Sequence, residues 1–246
     1  MLNFTVMWLT WRQLFARRRV WYAVAFALAP FLFTLVFRVV ADDGDASRVG
    51  FYQALCREVV IGTLLPIAGV VFGTTAFGGE VDDGTLVYLL VKPLARWQVV
   101  LSKYVVATVS TYAIAVPAIV LPWLAVRNPE LSPRVVSAFL IAAGVASAIY
   151  CALFLALGLA TKRALVGGLL YVIGFEGVLS RQLTGVRALS IREYAVAVSQ
   201  AASDGTIVVP GSITISTVKW MGTIMLVGAI AWTMRRLVRY EAAEHL

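Results

Sequence analysis

The chain has 246 residues, of which 61% are hydrophobic and only 14% are charged, and its formal net charge is +8. A soluble domain carries roughly 25% charged residues and lacks repeated uninterrupted apolar runs of about 20 residues. The composition therefore excludes an ordinary soluble enzyme and a disordered chain, and the basic residues flank apolar runs instead of forming the contiguous patch that nucleic-acid binding needs.

Residues 1–19 predict an interfacial helix that precedes the first membrane span. Its aromatic residues recur at spacings of four, three and four, which places them on one helical face: Phe4, Trp8, Trp11 and Phe15. An amphipathic helix that ends in arginines suits the cytoplasmic membrane interface. The alternative is that this segment extends the first span into the cytoplasm.

Six apolar runs predict an all-α membrane protein with six transmembrane helices. The runs are approximately Val20–Val40, Val59–Phe77, Val99–Val126, Val135–Ala160, Leu165–Leu179 and Ile213–Met234. The first run is about 31 Å long as a helix, which matches the hydrocarbon core of a bilayer. The fifth run is short and contains Glu176, so we expect that it does not cross as a simple straight helix.

The basic residues next to the first run predict its orientation. Arg17, Arg18 and Arg19 directly precede it, which places both termini in the cytoplasm of a multi-pass protein of the cell membrane. A cleavable signal peptide is the alternative, with Val39 and Ala41 at the cleavage site. The long, patterned segment before the run and Arg38 at its end favour an uncleaved span.

Small residues predict where helices pack closely. Lipid gives helices no hydrophobic reason to associate, so close backbone approach must hold them together. In the second run the residues are Gly69 and Gly73; in the fourth they recur every four positions at Gly144, Ala148, Ala152, Ala156 and Ala160. These faces suit contact within one chain or across a dimer, and in the second run the alternative is simply the general abundance of small residues in membrane helices.

Residues 80–97, between the second and third runs, predict a short amphipathic helix on the cytoplasmic side. Acidic residues come first, where the start of a helix favours negative charge. The row from Leu86 to Val91 is apolar, Pro93 ends it, and Arg96 and Lys103 mark the inner membrane edge. A solvated loop would not keep such a row, so a partner protein or the bilayer must cover it. The alternative is a loop that rests on lipid.

This segment resembles the coupling region of ABC-2 type transporter permeases. The matching positions are Glu80, Gly84, Thr85, Leu86, Leu89, Leu90, Pro93, Arg96 and Lys103, and Asp83 lies within the same pattern. A second stretch is similar to the fifth span and outer segment of six-span members of that family. It comprises Tyr171, Phe175, Glu176, Leu189, Ser190, Ile191, Arg192 and Tyr194. The family often has Trp at the position of Phe175.

The resemblance implies a type V exporter-like permease that works as a homodimer. Each copy pairs with a separate ATP-binding subunit that docks on the short cytoplasmic helix. The chain has no G-x-x-x-x-G-K-[ST] loop to cradle phosphates, so ATP and magnesium are expected in the partner and no cofactor in this chain. Related permeases serve lipids, drugs and ions, and no charge pattern here selects among these substrates.

Residues 180–212 are expected to lie outside the cell membrane. Ser190 and Glu193 form a capping-box pattern, which predicts a helix from about Ile191 to Ala202 that ends at residues 203–205. The resemblance implies that the segment folds back as short outer re-entrant helices that roof the transport route.

Glu176 is the one acid expected near the membrane core, and such a carboxylate is by default a functional candidate. Three interpretations stay open. Glu176 hydrogen-bonds locally or pairs with Arg181 or Arg187, it acts directly in the passage of substrate or ions, or it is exposed to solvent.

Catalysis by this chain is not expected. The only histidine is His245, and Cys56 and Cys151 lack the partners that a metal site, a disulfide or a nucleophilic thiol needs. An ATP-independent channel or scaffold protein is the alternative to a transporter subunit.

Overall fold

The computed structural model describes residues 4–14, 17–40, 45–82, 95–126, 128, 131–180, 184–209 and 213–244. Every regular element within these ranges is helical, as expected where backbone groups must be satisfied inside a bilayer. The first elements are α1 (Phe4–Leu14), α2 (Arg17–Val40), α3 (Asp45–Ala54), the π-helix π1 (Leu55–Leu64) and α4 (Leu65–Asp82). Then follow α5 (Arg96–Val126), α6 (Pro133–Ala160), α7 (Ala164–Leu170), the π-helix π2 (Tyr171–Leu179), a 3₁₀ turn (Thr184–Leu189), α8 (Ile191–Ala202) and α9 (Ile215–Glu244).

Each of the six predicted apolar runs forms a helix, so their order along the chain is confirmed. Four helical stretches of the described chain are long and apolar enough to cross a membrane: Arg48–Val81, Arg96–Val126, Pro133–Ala160 and Ile215–Val238. The first run lies in the 24-residue helix α2, of which the apolar stretch Val24–Val40 is described in full, and the fifth run forms the shorter apolar stretch Ala164–Leu179. A span count of six therefore stays a prediction.

The second helical stretch begins well before its apolar run. The backbone stays helical from α3 through π1 into α4, and Leu65 at the junction has φ −68° and ψ −45°. The prediction from Val59 was therefore too short. The apolar pattern stops at Arg57 and Glu58, whereas the helix continues because its side chains find polar partners: Glu58 bonds to both Arg57 and Arg192.

The core of the bundle is the contact between α4 and α6, where glycines let the two backbones approach. A Cβ on Gly73 would lie 2.7 Å from Cβ of Phe154, and one on Gly69 would lie 2.9 Å from Cβ of Tyr150. A Cβ on Gly158 would lie 2.7 Å from the carbonyl oxygen of Thr74. Gly69 and Gly73 therefore face α6 of the same chain.

The predicted small-residue face of α6 does not meet a single partner. At Gly144 a Cβ would contact the ring of Tyr112, and the carbonyl of Ala148 accepts a bond from Tyr104 of α5 at 3.2 Å. Ala152 is buried, whereas Ala156 and Ala160 line a groove beside α7 and α9. A periodicity of four thus identified small residues, but the turn of the helix divides them between α5 and the groove.

The first helix, α1, packs against α5 and α4. Thr10 is buried, while Trp8 and Trp11 are exposed. The described aromatics of α1 therefore face away from the bundle, as expected for a helix whose aromatic face lies in the membrane interface.

Helix α8 has the boundaries that its capping residues predicted. The Ser190 hydroxyl accepts a hydrogen bond from the backbone amide of Glu193, so the N-terminal cap is confirmed. After Ala202 the chain turns at Asp204 (φ 49°) and Gly205 (φ 85°). The left-handed conformation at Gly205 suits a residue without a Cβ and ends the helix.

Helix α8 lies inside the bundle, where it packs on α6 and α9. Its first residues lie beside Tyr150, and the turn beyond its end reaches Arg134, whose guanidinium is 3.4 Å from the Asp204 carboxylate. α8 therefore runs antiparallel to α6, from the middle of that helix to its start. The α7–π2 helix ends near the level at which α8 begins. The two elements therefore follow one another along the bundle as an interrupted helix.

Candidate functional site

Two buried charged sites lie at different levels of the bundle, the first near one end and the second beside the middle of α6. The end at which α4 ends and α5 begins is called the coupling end, and the end at which α5 ends and α6 begins is called the distal end. The Lys103 site comprises Ala76, Phe77, Glu80 and Lys103 near the coupling end. The Glu176 site comprises Glu58, Tyr150, Glu176, Ile191 and Arg192 and lies deeper in the bundle, towards the distal end.

The Lys103 site is an ion pair between two neighbouring helices. Lys103 is 1% exposed, and its Nζ lies 2.7 Å from Oε1 of Glu80. The same ammonium donates to the carbonyl oxygen of Ala76 and lies 4.8 Å from the ring centre of Phe77. A buried ammonium is tolerated only when its donors are satisfied, and here a carboxylate, a carbonyl and an aromatic face surround it.

That Lys103 marks the membrane edge stays a prediction; the structure adds that its side chain is buried in protein and paired with Glu80. The pattern could not show this, since a lysine near the end of an apolar run is equally typical of an interface. Glu80 lies two residues before the end of α4, and Lys103 lies in the second turn of α5. The pair therefore ties together the two helices that flank residues 83–94.

Most of the predicted coupling residues fall between these helices. Asp83, Gly84, Thr85, Leu86, Leu89, Leu90 and Pro93 lie outside the described residues. Arg96 begins α5 and is half-buried. Of the predicted set, the structure thus places Glu80 and Arg96 at the two edges of the segment and brings Glu80 onto Lys103.

The Glu176 site is built around a carboxylate at the start of a helix. Glu176 is 2% exposed, and its Oε2 accepts a short hydrogen bond from the Tyr150 hydroxyl. Its Oε1 accepts from the backbone amide of Ile191 at 3.0 Å, and Oε2 also accepts from that of Arg192 at 3.3 Å. The carboxylate therefore caps the N-terminus of α8, where free amides and the helix dipole favour negative charge.

Arg192 joins the same helix terminus to π1. Its side chain is nearly buried, and one terminal nitrogen lies 2.8 Å from Oε2 of Glu58 while the other lies 3.6 Å from Oε1 of Glu193. A Cβ on Gly62 would lie 3.1 Å from Nε of Arg192, so the glycine leaves the room that the guanidinium occupies. Glu58 and Gly62 both belong to π1.

The two π-helices thus meet at the start of α8, with π1 supplying Glu58 and Gly62 and π2 supplying Glu176. A π-helical turn carries one extra residue per turn and often occurs at functional sites. Sequence reasoning found Glu176 but not its partner Tyr150, nor the pair of Glu58 with Arg192. Glu58 directly precedes the predicted second run and Arg192 lies in the predicted helix after Ser190, but their 134-residue separation left no sequence signal that they pair.

Among the three interpretations of Glu176, the geometry favours local hydrogen bonding. Burial at 2% excludes solvent exposure in this conformation. Arg187 is not among the partners that the structure gives Glu176, and Arg181 lies outside the described residues. Over the described ranges, no three His, Cys, Asp or Glu side chains are grouped to hold a metal ion.

Comparison with known proteins gives one family. A family model described as "ABC-2 family transporter protein" matches residues 14–176, which is more than half of the chain. The matched range contains the Lys103 site and ends at Glu176, so α8 and α9 lie beyond it. No curated protein matches the chain.

Proposed function

The chain belongs to the ABC-2 transporter family and is a multi-pass permease subunit of an ABC transporter, and on that premise we propose that it is an exporter subunit which works as a homodimer with separate ATP-binding subunits. The long apolar helices of the chain support its place in the membrane. The partner supplies ATP, magnesium and hydrolysis. Both termini and the coupling end face the cytoplasm, where ATP is available.

The buried Lys103–Glu80 pair is the observation that supports coupling at residues 83–94. A docked ATPase can move the transmembrane helices only if the segment that it pushes is held at both edges. The pair joins α4 to α5 close to both edges, with Lys103 1% exposed. A push on the segment is then transmitted to both helices together instead of being lost in bending one of them.

The coupling set comprises Glu80, Asp83, Gly84, Thr85, Leu86, Leu89, Leu90, Pro93 and Arg96. In this proposal the leucines form the apolar surface that enters a groove of the ATPase. ATP binding draws the two ATPases together, the segments move with them, and access to the route alternates between the two sides of the membrane.

Residues 180–212 form the outer gate in this scheme, with Glu176 as its structural anchor. The Glu176 carboxylate holds the start of α8 through two backbone amides, and Arg192 holds it to π1. A helix fixed at one end by two neighbouring elements moves when those elements move. The gate is therefore linked to α4 through the continuous α3–π1–α4 helix.

The docking assignment is tested by the double variant Leu89→Asp with Leu90→Asp. The chain is co-expressed with its proposed ATP-binding subunit, and co-purification and ATP-dependent transport in liposomes are measured. We expect the variant to lose the ATPase, because two carboxylates cannot enter an apolar groove without a large desolvation cost.

The matched control is Val39→Asp with Val40→Asp, two exposed apolar residues at the end of α2, where Arg38 donates to the Ala125 carbonyl at the distal end. It should keep both the ATPase and transport. Normal co-purification and transport by the Leu89/Leu90 variant would overturn the docking assignment. Ion conduction by the purified chain without any ATPase would favour the ATP-independent channel.

A further inference from the structure

An apolar groove of about 550 Å³ lies between α6, the α7–π2 helix and α9. It does not contain the Lys103 site or the Glu176 carboxylate. Its larger lining side chains are Leu153, Phe154, Leu157, Tyr171, Met225 and Trp232. Along both α6 and α9 it covers eight residues, or about 10 Å of helix between the first and the last Cα.

The groove exists because all three helices present small residues where their side chains would otherwise meet. These residues are Ala156, Ala160, Gly167, Gly228 and Ala229. Small residues in membrane helices usually bring backbones together. Here they do not: a Cβ on Gly228 would meet no atom within 4 Å. The space is therefore wide enough to take a side chain, and an apolar ligand fits it.

The groove has a cationic rim at the coupling end. Ala160 lines the groove, and Lys162 and Arg163 follow directly with exposed side chains. Arg235 is exposed on α9, about one helical turn beyond Trp232, which lines the groove. These three cations sit beside one end of an otherwise apolar groove, at the level where the helices leave the predicted spans.

Arg236 joins the end of α6 to α9 beside the cationic rim. Its Nε and one terminal nitrogen donate to the carbonyls of Leu159 and Ala160 at 3.2 and 3.1 Å. Its guanidinium carbon lies 5.2 Å from the ring centre of Trp232, which lines the groove. Arg236 thereby satisfies the last carbonyls of α6 and holds α9 against α6 beside Lys162 and Arg163.

We propose that this groove binds one anionic phospholipid from the leaflet at the coupling end. An acyl chain lies among the apolar lining residues, and the headgroup phosphate contacts Lys162, Arg163 and Arg235. The charge pattern selects this occupant, because basic pockets between transmembrane helices at the membrane edge attract anionic headgroups. The inference is independent of the proposed ATPase partner, since it rests on α6, α7 and α9 alone.

The test is native mass spectrometry of the full chain after reconstitution into nanodiscs of phosphatidylglycerol or of phosphatidylcholine. We expect one phosphatidylglycerol retained per copy and little phosphatidylcholine. Replacing all three cations by glutamine (K162Q, R163Q, R235Q) should weaken phosphatidylglycerol retention by about fivefold per charge, on the order of a hundredfold together. These side chains are exposed, so the fold should persist.

A second variant tests the acyl-chain part. Gly228→Leu fills the groove without meeting another atom at Cβ, and it should reduce retention of phosphatidylglycerol. The matched controls are Gly50→Leu, another helical glycine with open space around it, and Lys219→Gln, an exposed cation at the other end of α9. Both controls should retain the lipid like the unmodified chain.

Three results would overturn the proposal. Equal retention of the two lipids removes the role of charge, and unchanged retention in Gly228→Leu removes the groove. A lower oligomeric mass of Gly228→Leu with lipid retention unchanged shows that the groove is filled by a second copy of the chain.

Discussion

The Lys103 site and the Glu176 site bury charges of opposite sign to a similar extent, 1% and 2% exposed, but they compensate them in different ways. Lys103 has a counter-ion in Glu80, 2.7 Å away. Glu176 takes its hydrogen bonds from the Tyr150 hydroxyl and two backbone amides at the start of α8. The free amides of this helix terminus carry partial positive charge and stabilise the buried carboxylate, and the guanidinium of Arg192 adds an electrostatic attraction.

The two arrangements also join different kinds of element. The Lys103 pair connects α4 and α5, two long helices that can transmit a displacement along their axes. The Glu176 cap connects π2 to the short α8, where the path along the bundle is broken. The Lys103 pair therefore stiffens the contact between two long helices. The Glu176 cap fixes the start of α8, where the helical path is interrupted. Substitutions at the two sites should therefore separate these two properties.

Lys103→Met should be the most damaging change, because it leaves the Glu80 carboxylate without its counter-ion. Breaking a buried pair on one side costs about 3–5 kcal/mol of the free energy of unfolding. The measurement is the unfolding midpoint in a denaturant titration of the protein in detergent micelles. The double variant Lys103→Met with Glu80→Met should recover most of the loss, and failure to recover it would mean that the pair itself is not the source.

Glu176→Ala should cost about 2–3 kcal/mol, since it removes a charged acceptor from two amides and a hydroxyl. Glu176→Gln keeps an acceptor oxygen at the start of α8, and we expect less than half of the alanine effect in the same titration. If glutamine is as damaging as alanine, the negative charge rather than the hydrogen bonds secures α8, and the contrast between the two sites disappears.

Ser190→Ala should cost about 1 kcal/mol, the usual effect of removing an N-terminal cap. Because the Glu176 carboxylate still holds the amides of Ile191 and Arg192, the loss should be local. Hydrogen exchange should rise at the backbone amide of Glu193, because this amide donates a hydrogen bond to the Ser190 hydroxyl. Ser190→Thr retains the hydroxyl and serves as the control, and equal exchange in both variants would contradict the cap.

Arg134→Ala should have an effect below about 0.5 kcal/mol. Arg134 pairs with Asp204 at 3.4 Å, but the side chains are 74% and 76% exposed. The pair lies near the end of α8 and not at its start. It therefore tests whether an exposed ion pair at this helix contributes to the free energy of unfolding or whether only the buried contacts do. A shift in the unfolding midpoint as large as that of Glu176→Ala would argue against the importance of burial.

Local features of the chain were predictable where the signal and the structure occupy the same few residues. The Ser190 cap and the turn at Gly205 fixed both ends of α8. The Gly69–Gly73 pair marked a close approach, although Gly158 on α6 completes that contact and lay outside the predicted periodicity. A repeat of four residues drifts around a helix of 3.6 residues per turn, so its members need not meet the same neighbour.

The sequence by itself determined that the chain is a helical membrane protein, where its apolar helices lie and how α8 is capped. These properties depend on composition, periodicity and contacts between near neighbours. The tertiary structure decided which charges meet: Lys103 bonds to a residue 23 positions away, Glu176 to an amide 15 positions away and Arg192 to an acid 134 positions away. Lipid satisfies every apolar face equally well, so the register between helices comes from close packing and buried polar contacts, which a linear pattern of apolar residues does not encode.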